Sequence, residues 1–211
     1  GVYEVTVNVN VNGNDISTVE NAVTSKLQSD LGSLSQFEFV MLCIPPGTTD
    51  LSVAYAYYNS LLSVYNDDWC RYVSVLLHEL GHNMNLAHSN EGSTEYADES
   101  GMMGFSYSQD DTPVMCFNGA KSWQLGWYSS RHTTVANGAL SSFTMVGVAD
   151  YDNSAGRTVI AKLETGSGYA YYVAYNRATG INAGTLEGAN QVLVTKADDP
   201  LTQKASYLMA K

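Results

Sequence analysis

The distribution of hydrophobic positions predicts that a strand, a helix and further strands begin the chain. Residues 2–11 alternate apolar and polar side chains and are rich in β-branched residues, which is typical of a half-buried strand. Apolar positions recur at helical spacing over residues 17–32, with Ser17 or Thr18 as the N-cap and Gly32 as the stop. Three apolar runs predict buried strands over 37–44, 51–59 and 61–66. This order of elements predicts an α/β layer.

A second helix is predicted from Trp69 onward, with Asp67 and Asp68 as N-cap candidates. Its apolar positions share one face, which we expect to pack on the sheet: Trp69, Tyr72, Val73, Leu76 and Leu80. His78 and His82 lie one turn apart on the roughly opposite side. The pattern therefore predicts that two imidazoles point outward into a cleft.

The last third of the chain has a different pattern. From about residue 131 the sequence contains short apolar runs separated by Gly, Asn and Asp, and no helix of convincing length. The runs predict strands over 141–148, 157–164, 169–176 and 190–197. An antiparallel sheet or partial sandwich fits this pattern. We therefore expect an α/β domain over residues 1–130 and a small all-β domain over residues 131–211.

Composition and charge narrow the class of protein. A chain of 211 residues with 45% hydrophobic content can bury one sizeable core or two small ones. Its net charge of −11 argues against a nucleic-acid partner and against an anionic membrane surface, and no apolar run is long enough to span a bilayer. Few basic residues and many Tyr, Asn, Ser and Thr favour a secreted protein, which we expect to be a monomer. Because Gly1 replaces an initiator Met, we expect a processed piece without its targeting sequence or any pro-segment.

Cys43, Cys70 and Cys116 are the only cysteines, and their spacing matches no zinc, iron–sulfur or CxxC redox motif. One disulfide and one leftover thiol would suit an oxidising compartment. Pairing of a third cysteine with a segment outside this chain is an alternative. The sequence does not rank the three single bridges that these residues allow.

Three of the four histidines lie within HELGHNMNLAH, residues 78–88. If the helix continued past His82, His88 would lie too far away to share an ion. The helix must therefore end first, and Asn85 tolerates the left-handed conformation that reverses the chain. Three neutral imidazoles around one ion, with the fourth position open, are the arrangement of a catalytic zinc site. Glu79, in the H-E-x-x-H pattern, is the candidate general base for hydrolysis of an amide.

This motif resembles the long zinc motif of the metzincin metalloendopeptidases, with Asn85 at the position of a Gly. Residues 95–106 and 116–128 further resemble the gametolysin family of cell-wall-lytic metzincins. The resemblance implies a catalytic domain with a twisted mixed sheet and an active-site helix. It also implies one Zn²⁺ ion held by His78, His82 and His88, with Glu79 as the general base.

The same resemblance implies a methionine beneath the histidines. Met103, directly before Gly104, is the preferred residue, and Met102 is the alternative. Tyr107, four residues after Met103, is a candidate for stabilising the transition state. Most methionines are ordinary core residues, so only their place after the zinc motif assigns this role. His132, outside the motif, is interpreted as a surface or loop residue.

A stretch over residues 91–111 contains six acidic residues and no Lys or Arg: Glu91, Glu95, Asp98, Glu99, Asp110 and Asp111. A solvated loop is the favoured interpretation. A Ca²⁺ site or a negative rim that selects basic peptides is the functional alternative, because clustered carboxylates suit hard cations.

Taken with the resemblance, these features predict a secreted zinc endopeptidase. Its substrates would be extracellular-matrix or cell-wall proteins, including Pro-rich or hydroxyproline-rich glycoproteins. One alternative is a secreted binding or structural module that keeps zinc without turnover, although such a site has no need of Glu79. The other is a secreted zinc amidase or aminopeptidase.

Overall fold

The computed structural model describes residues 1–50, 52–104, 112–153 and 155–211. The chain is mixed α/β, as predicted, with two mixed sheets and three α-helices among these residues. Its contacts divide it into two units, Gly1–Asn85 and Leu86–Lys211. Within the described residues, no helix has the length and apolar character needed to cross a membrane.

The first unit packs one long helix on a three-stranded sheet. Helix α1 spans Ile16–Leu31, and its N-cap is Asp15, whose side chain accepts a hydrogen bond from the backbone N–H of Thr18. The strands are β1 (Val40–Ile44), β2 (Ala54–Ala56) and β3 (Leu62–Asn66). β3 lies in the centre, parallel to β1 and antiparallel to β2. The core between helix and sheet contains Ile16, Val19, Leu27, Leu42, Ile44 and Val64.

The strand predicted over residues 2–11 is not formed, and the prediction is wrong there. The alternation is nevertheless real, because Val5, Val9 and Val11 are half-buried and pack against the core of this unit. Alternating burial needs only one covered face, whereas a strand also needs a partner for its backbone hydrogen bonds. The pattern predicted the buried face correctly but not the pairing.

The second helix starts later than predicted and buries a different face. A 3-10 helix over Asp67–Arg71 comes first, and helix α2 then spans Val73–Asn83. The predicted apolar face is wrong, since Val73 is exposed while His78, Glu79 and His82 are buried. The Asn83 side-chain amide explains this orientation, because it donates to the carbonyl oxygens of Tyr57 and Leu62, 3.1 and 2.9 Å away. These bonds turn the Glu79 side of α2 toward β2 and β3.

The second unit contains a six-stranded sheet and one short helix. The helix is α3 (Gly119–Gln124). The strands are β4 (Ser89–Glu91), β5 (His132–Val135), β6 (Ile160–Glu164), β7 (Tyr169–Asn176), β8 (Gln191–Asp198) and β9 (Ser206–Ala210). Their order in the sheet is β4-β9-β8-β7-β6-β5, and the core beneath α3 contains Val159, Ile160, Ala170 and Tyr172.

This sheet differs from the predicted one at both edges. The pairs from β6 to β9 are antiparallel, but β4 runs parallel to β9 and β5 runs parallel to β6. Residues 141–148 form only isolated bridges, from Met145 to Thr158 and from Gly147 to Tyr175. β4 follows the histidine motif directly and still joins this sheet. The domain boundary near residue 130, the metzincin-like arrangement and a separate all-β domain stay predictions.

Candidate metal centre

The three motif histidines converge, as the sequence predicted. His78 and His82 lie one turn apart on α2, with ring centroids 4.8 Å apart. Asn85 has φ 69°, and its backbone N–H donates to the carbonyl oxygen of His82 at 2.8 Å, which ends the helix. One potential ligand atom from each of His78, His82 and His88 lies within 4.8 Å of the other two. This trio is the only such group that the described part of the chain contains.

His88 has two neighbours that the sequence analysis did not assign to it. Its Nδ1 is 2.6 Å from Oε1 of Glu95, and its ring centroid is 4.0 Å from that of Tyr96. The bond at Nδ1 leaves Nε2 as the ring nitrogen for a metal ion. Burial lowers the pKa of the His88 imidazole, against the opposing effect of Glu95. The neutral ring is the form that binds metals.

Glu79, the residue after His78, is buried, with 6% of its surface exposed. Burial alone raises the pKa of its carboxyl from 4.5 to about 8. Its Oε2 atom is buried and has no hydrogen-bond partner among the described residues. The three convergent imidazoles fit a cation site, and the residue after His78 is a buried glutamate with one unpartnered oxygen. Three neutral nitrogen donors suit zinc in particular.

The backbone of Met103 is hydrogen-bonded to the residue that follows the histidine motif. Both Met102 and Met103 are almost completely buried. The backbone N–H of Ser89, the residue after His88, donates to the carbonyl oxygen of Met103 at 2.8 Å. The backbone N–H of Met102 instead donates to Cys116 at 3.0 Å. The role of Met103 beneath the histidines, with Met102 as the alternative, stays a prediction.

The comparison with known families agrees with this geometry. The profile described as gametolysin peptidase M11 matches residues 7–196. The chain belongs to this family. No curated protein and no solved structure matches it. Membership makes the protein a metallopeptidase, a hydrolase that acts on the peptide bonds of a protein substrate. The match extends from before α1 into β8, so the family likeness extends well beyond the histidine motif.

Another partner of the cluster in this gametolysin-family peptidase is Tyr58. Its ring lies 4.7 Å from that of His82, in an edge-on arrangement. Sequence reasoning missed Tyr58 and Glu95 for different reasons. Tyr58 is far from the motif along the chain, so no local spacing connects them. Glu95 was considered only as part of an acidic stretch, although it lies seven residues after His88.

A buried polar network holds the chain just after His88. The side-chain amide of Asn118 donates to Oγ of Ser89, Oδ2 of Asp98 and Oγ of Ser206, at 3.1, 2.8 and 3.0 Å. Burial raises the pKa of the Asp98 carboxyl. Asp98 is therefore part of the internal structure rather than of a solvated loop. Sequence reasoning missed Asn118 and Ser206, because they meet Ser89 only in the tertiary structure.

The rest of the acidic stretch does not form a calcium site in the described residues. Glu91 forms an ion pair with Lys211 at 3.3 Å, and Glu95 binds His88. Asp110, Asp111 and Tyr107 lie outside the residues that the structure describes. Calcium therefore has no support here, and the proposed role of Tyr107 stays a prediction. His132 stacks on Trp123 with ring centroids 3.8 Å apart and takes no part in the trio.

Proposed function

We propose that this peptidase is a secreted zinc endopeptidase in which His78, His82 and His88 hold one catalytic zinc ion. The observation that supports this most directly is the convergence of three imidazole nitrogens within 4.8 Å, because three protein ligands leave one position of a tetrahedral ion open. Glu79, next to His78 in the sequence, supports a catalytic site, because a purely structural site has no need of a general base. Residues 1–130 would form the metzincin-like catalytic domain, and residues 131–211 a supporting β-rich domain.

The chemistry divides between the ion and the buried glutamate. Zinc, when bound, supplies a Lewis acid that polarises the scissile carbonyl and makes a water molecule more acidic. Glu79 takes the proton of the attacking water and passes it to the nitrogen of the leaving amine. Its unpartnered Oε2 is the atom available for that exchange.

Glu95 supports the site by orienting a ligand. Its carboxylate binds Nδ1 of His88, which fixes the tautomer that presents Nε2. Met103 would fill the space beneath the histidines, held by its bond to Ser89. Tyr107 is the candidate stabiliser of the transition state.

For substrates, we propose extracellular-matrix or cell-wall proteins, including Pro-rich glycoproteins. The family membership supports a protein substrate, and the resemblance to cell-wall-lytic enzymes supports this class. Secretion is supported by a composition poor in Lys and Arg and rich in Tyr. The protein would act as a monomer.

The first experiment measures zinc per chain by elemental analysis together with cleavage of casein, with and without a chelator. We expect one zinc ion per chain and internal fragments of casein that disappear when the metal is removed. His88→Ala should lose the zinc, whereas His132→Ala, a matched control, should keep it. Zinc without cleavage would favour a binding module, and release of single terminal residues would favour an aminopeptidase. Absence of zinc would refute the proposal.

A further inference from the structure

Cys43 and Cys70 are brought together in the first unit by the parallel pairing of β1 and β3. Cys43 lies in β1, opposite Tyr65 of β3. β3 ends at Asn66, and the chain enters the 3-10 helix Asp67–Arg71 that contains Cys70 and contacts β1. The thiol of Cys70 is a hydrogen-bond partner of the Cys43 thiol. Two residues that lie far apart in sequence are thus neighbours in space.

We propose that Cys43 and Cys70 form a disulfide bond in an oxidising compartment. Adjacent thiols on a strand and on the helix that follows its partner strand need little backbone movement to join. Cys43 is exposed and Cys70 is partly exposed, so a dissolved oxidant reaches the pair. The bridge does not depend on the proposed enzymatic function, because no metal ligand takes part in it.

Cys116 is the leftover thiol. It lies in the second unit, near α3, and burial is the only cause that raises the pKa of its thiol, to about 11. Within the described residues, no other thiol acts on it. Of the three single bridges that the sequence left unranked, the structure therefore selects the one between Cys43 and Cys70.

The oxidant is a dissolved disulfide such as oxidised glutathione. The thiolate of one cysteine attacks a glutathione sulfur, which forms a mixed disulfide and releases one glutathione thiolate. The thiolate of the other cysteine then attacks the protein sulfur of that mixed disulfide and releases the second glutathione. Both protein protons end on the two released glutathione thiols. The two cysteines lose two electrons, and the glutathione disulfide gains them.

The bridge would fasten the start of the active-site helix to the sheet. The 3-10 helix that contains Cys70 is separated from α2 only by Tyr72. The closed loop contains 26 intervening residues, including β2 and β3. Closing a loop of this size stabilises a fold mainly by restricting the unfolded chain. We expect reduction of the bridge to lower the midpoint of thermal unfolding by about 5–10 °C.

The deciding experiment counts thiols on the unaltered chain. The purified protein is equilibrated with oxidised and reduced glutathione, denatured, and titrated with a thiol reagent, and its peptides are then mapped by mass spectrometry without reduction. We expect one free thiol per chain, at Cys116, and one linked pair of peptides that contain Cys43 and Cys70. Three free thiols, stable glutathione adducts at Cys43, or any bridge to Cys116 would overturn the proposal.

Matched variants test the structural effect. Cys116→Ser should keep the bridge and should lose the same 5–10 °C as the unaltered chain when a reductant is added. Cys43→Ser and Cys70→Ser should each melt near the reduced protein, with no response to reductant. If the oxidised and reduced forms of the unaltered chain melt together, the bridge does not constrain the fold and this part of the inference is wrong.

Discussion

Replacing Glu79 with Gln separates the catalytic role of this residue from the cost of burying it. The substitution keeps the size and shape of the side chain but removes the negative charge and the ability to accept a proton. We expect hydrolysis to fall by about 10²- to 10⁴-fold, the usual contribution of a general base. Zinc content should stay at that of the unaltered protein, because Glu79 is not among the three clustered donors.

The effect on stability follows from the pKa of the buried carboxyl. In the metal-free chain, burial raises that pKa from 4.5 to about 8. Below pH 4.5 the carboxyl is mostly protonated in both the folded and the unfolded states, so folding buries no charge at this position. As the pH rises from 4.5 to 8, the unfolded chain ionises first and the folded state becomes relatively less stable. At about 1.4 kcal/mol per pKa unit, the free energy of unfolding is lowered by about 3 kcal/mol at pH 7 and by about 5 kcal/mol above pH 8.

Thermal unfolding of the chelated proteins measures this cost. Because Gln is neutral at every pH, Glu79→Gln should melt about 6–12 °C above the unaltered chain at pH 7 and together with it at pH 4.5. Glu38→Gln changes an exposed glutamate of the same unit and should leave both activity and melting unchanged. The reasoning fails if the Glu79 variant keeps full activity. It also fails if its melting temperature shows no pH-dependent gain.

Three further substitutions test the parts around the histidines. Glu95→Gln should weaken zinc affinity by about 10- to 100-fold, because the substitution removes the charged partner of His88. Competition with a chelator measures the affinity, and an unchanged value would show that Glu95 does not support the site. Asn85→Gly should be tolerated, whereas Asn85→Val should cost about 1–2 kcal/mol of unfolding free energy, since φ of residue 85 is 69°. Equal stability of the two variants would contradict the left-handed conformation at the end of α2. Gly104→Ala should cost about 3 kcal/mol or more in a denaturant titration, because its Cβ would lie 1.8 Å from the carbonyl oxygen of Asp98. A Gly104→Ala protein of ordinary stability would disprove that close approach.

The motif chemistry was readable from the sequence because its parts are close along the chain. Helical spacing places His78 and His82 one turn apart, and the need for a reversal before His88 pointed to Asn85. All of this depends on backbone geometry over eleven residues. Helices α1 and α2 were predicted in outline because helical periodicity is a local signal. The predicted N-caps are wrong, since α1 is capped by Asp15 and α2 follows Tyr72 without a side-chain cap.

The tertiary structure decided which residues surround that motif. The outward face of α2 was predicted wrongly because the bonds of Asn83 to Tyr57 and Leu62 involve segments more than twenty residues away. Parallel pairing of β1 with β3 brings Cys43 close to the 3-10 helix that contains Cys70. Pairing partners and buried hydrogen bonds depend on which distant segments meet, and local periodicity contains no information about that choice. The sequence by itself therefore determined the chemistry of the site, and the fold decided how that site is buried, oriented and supported.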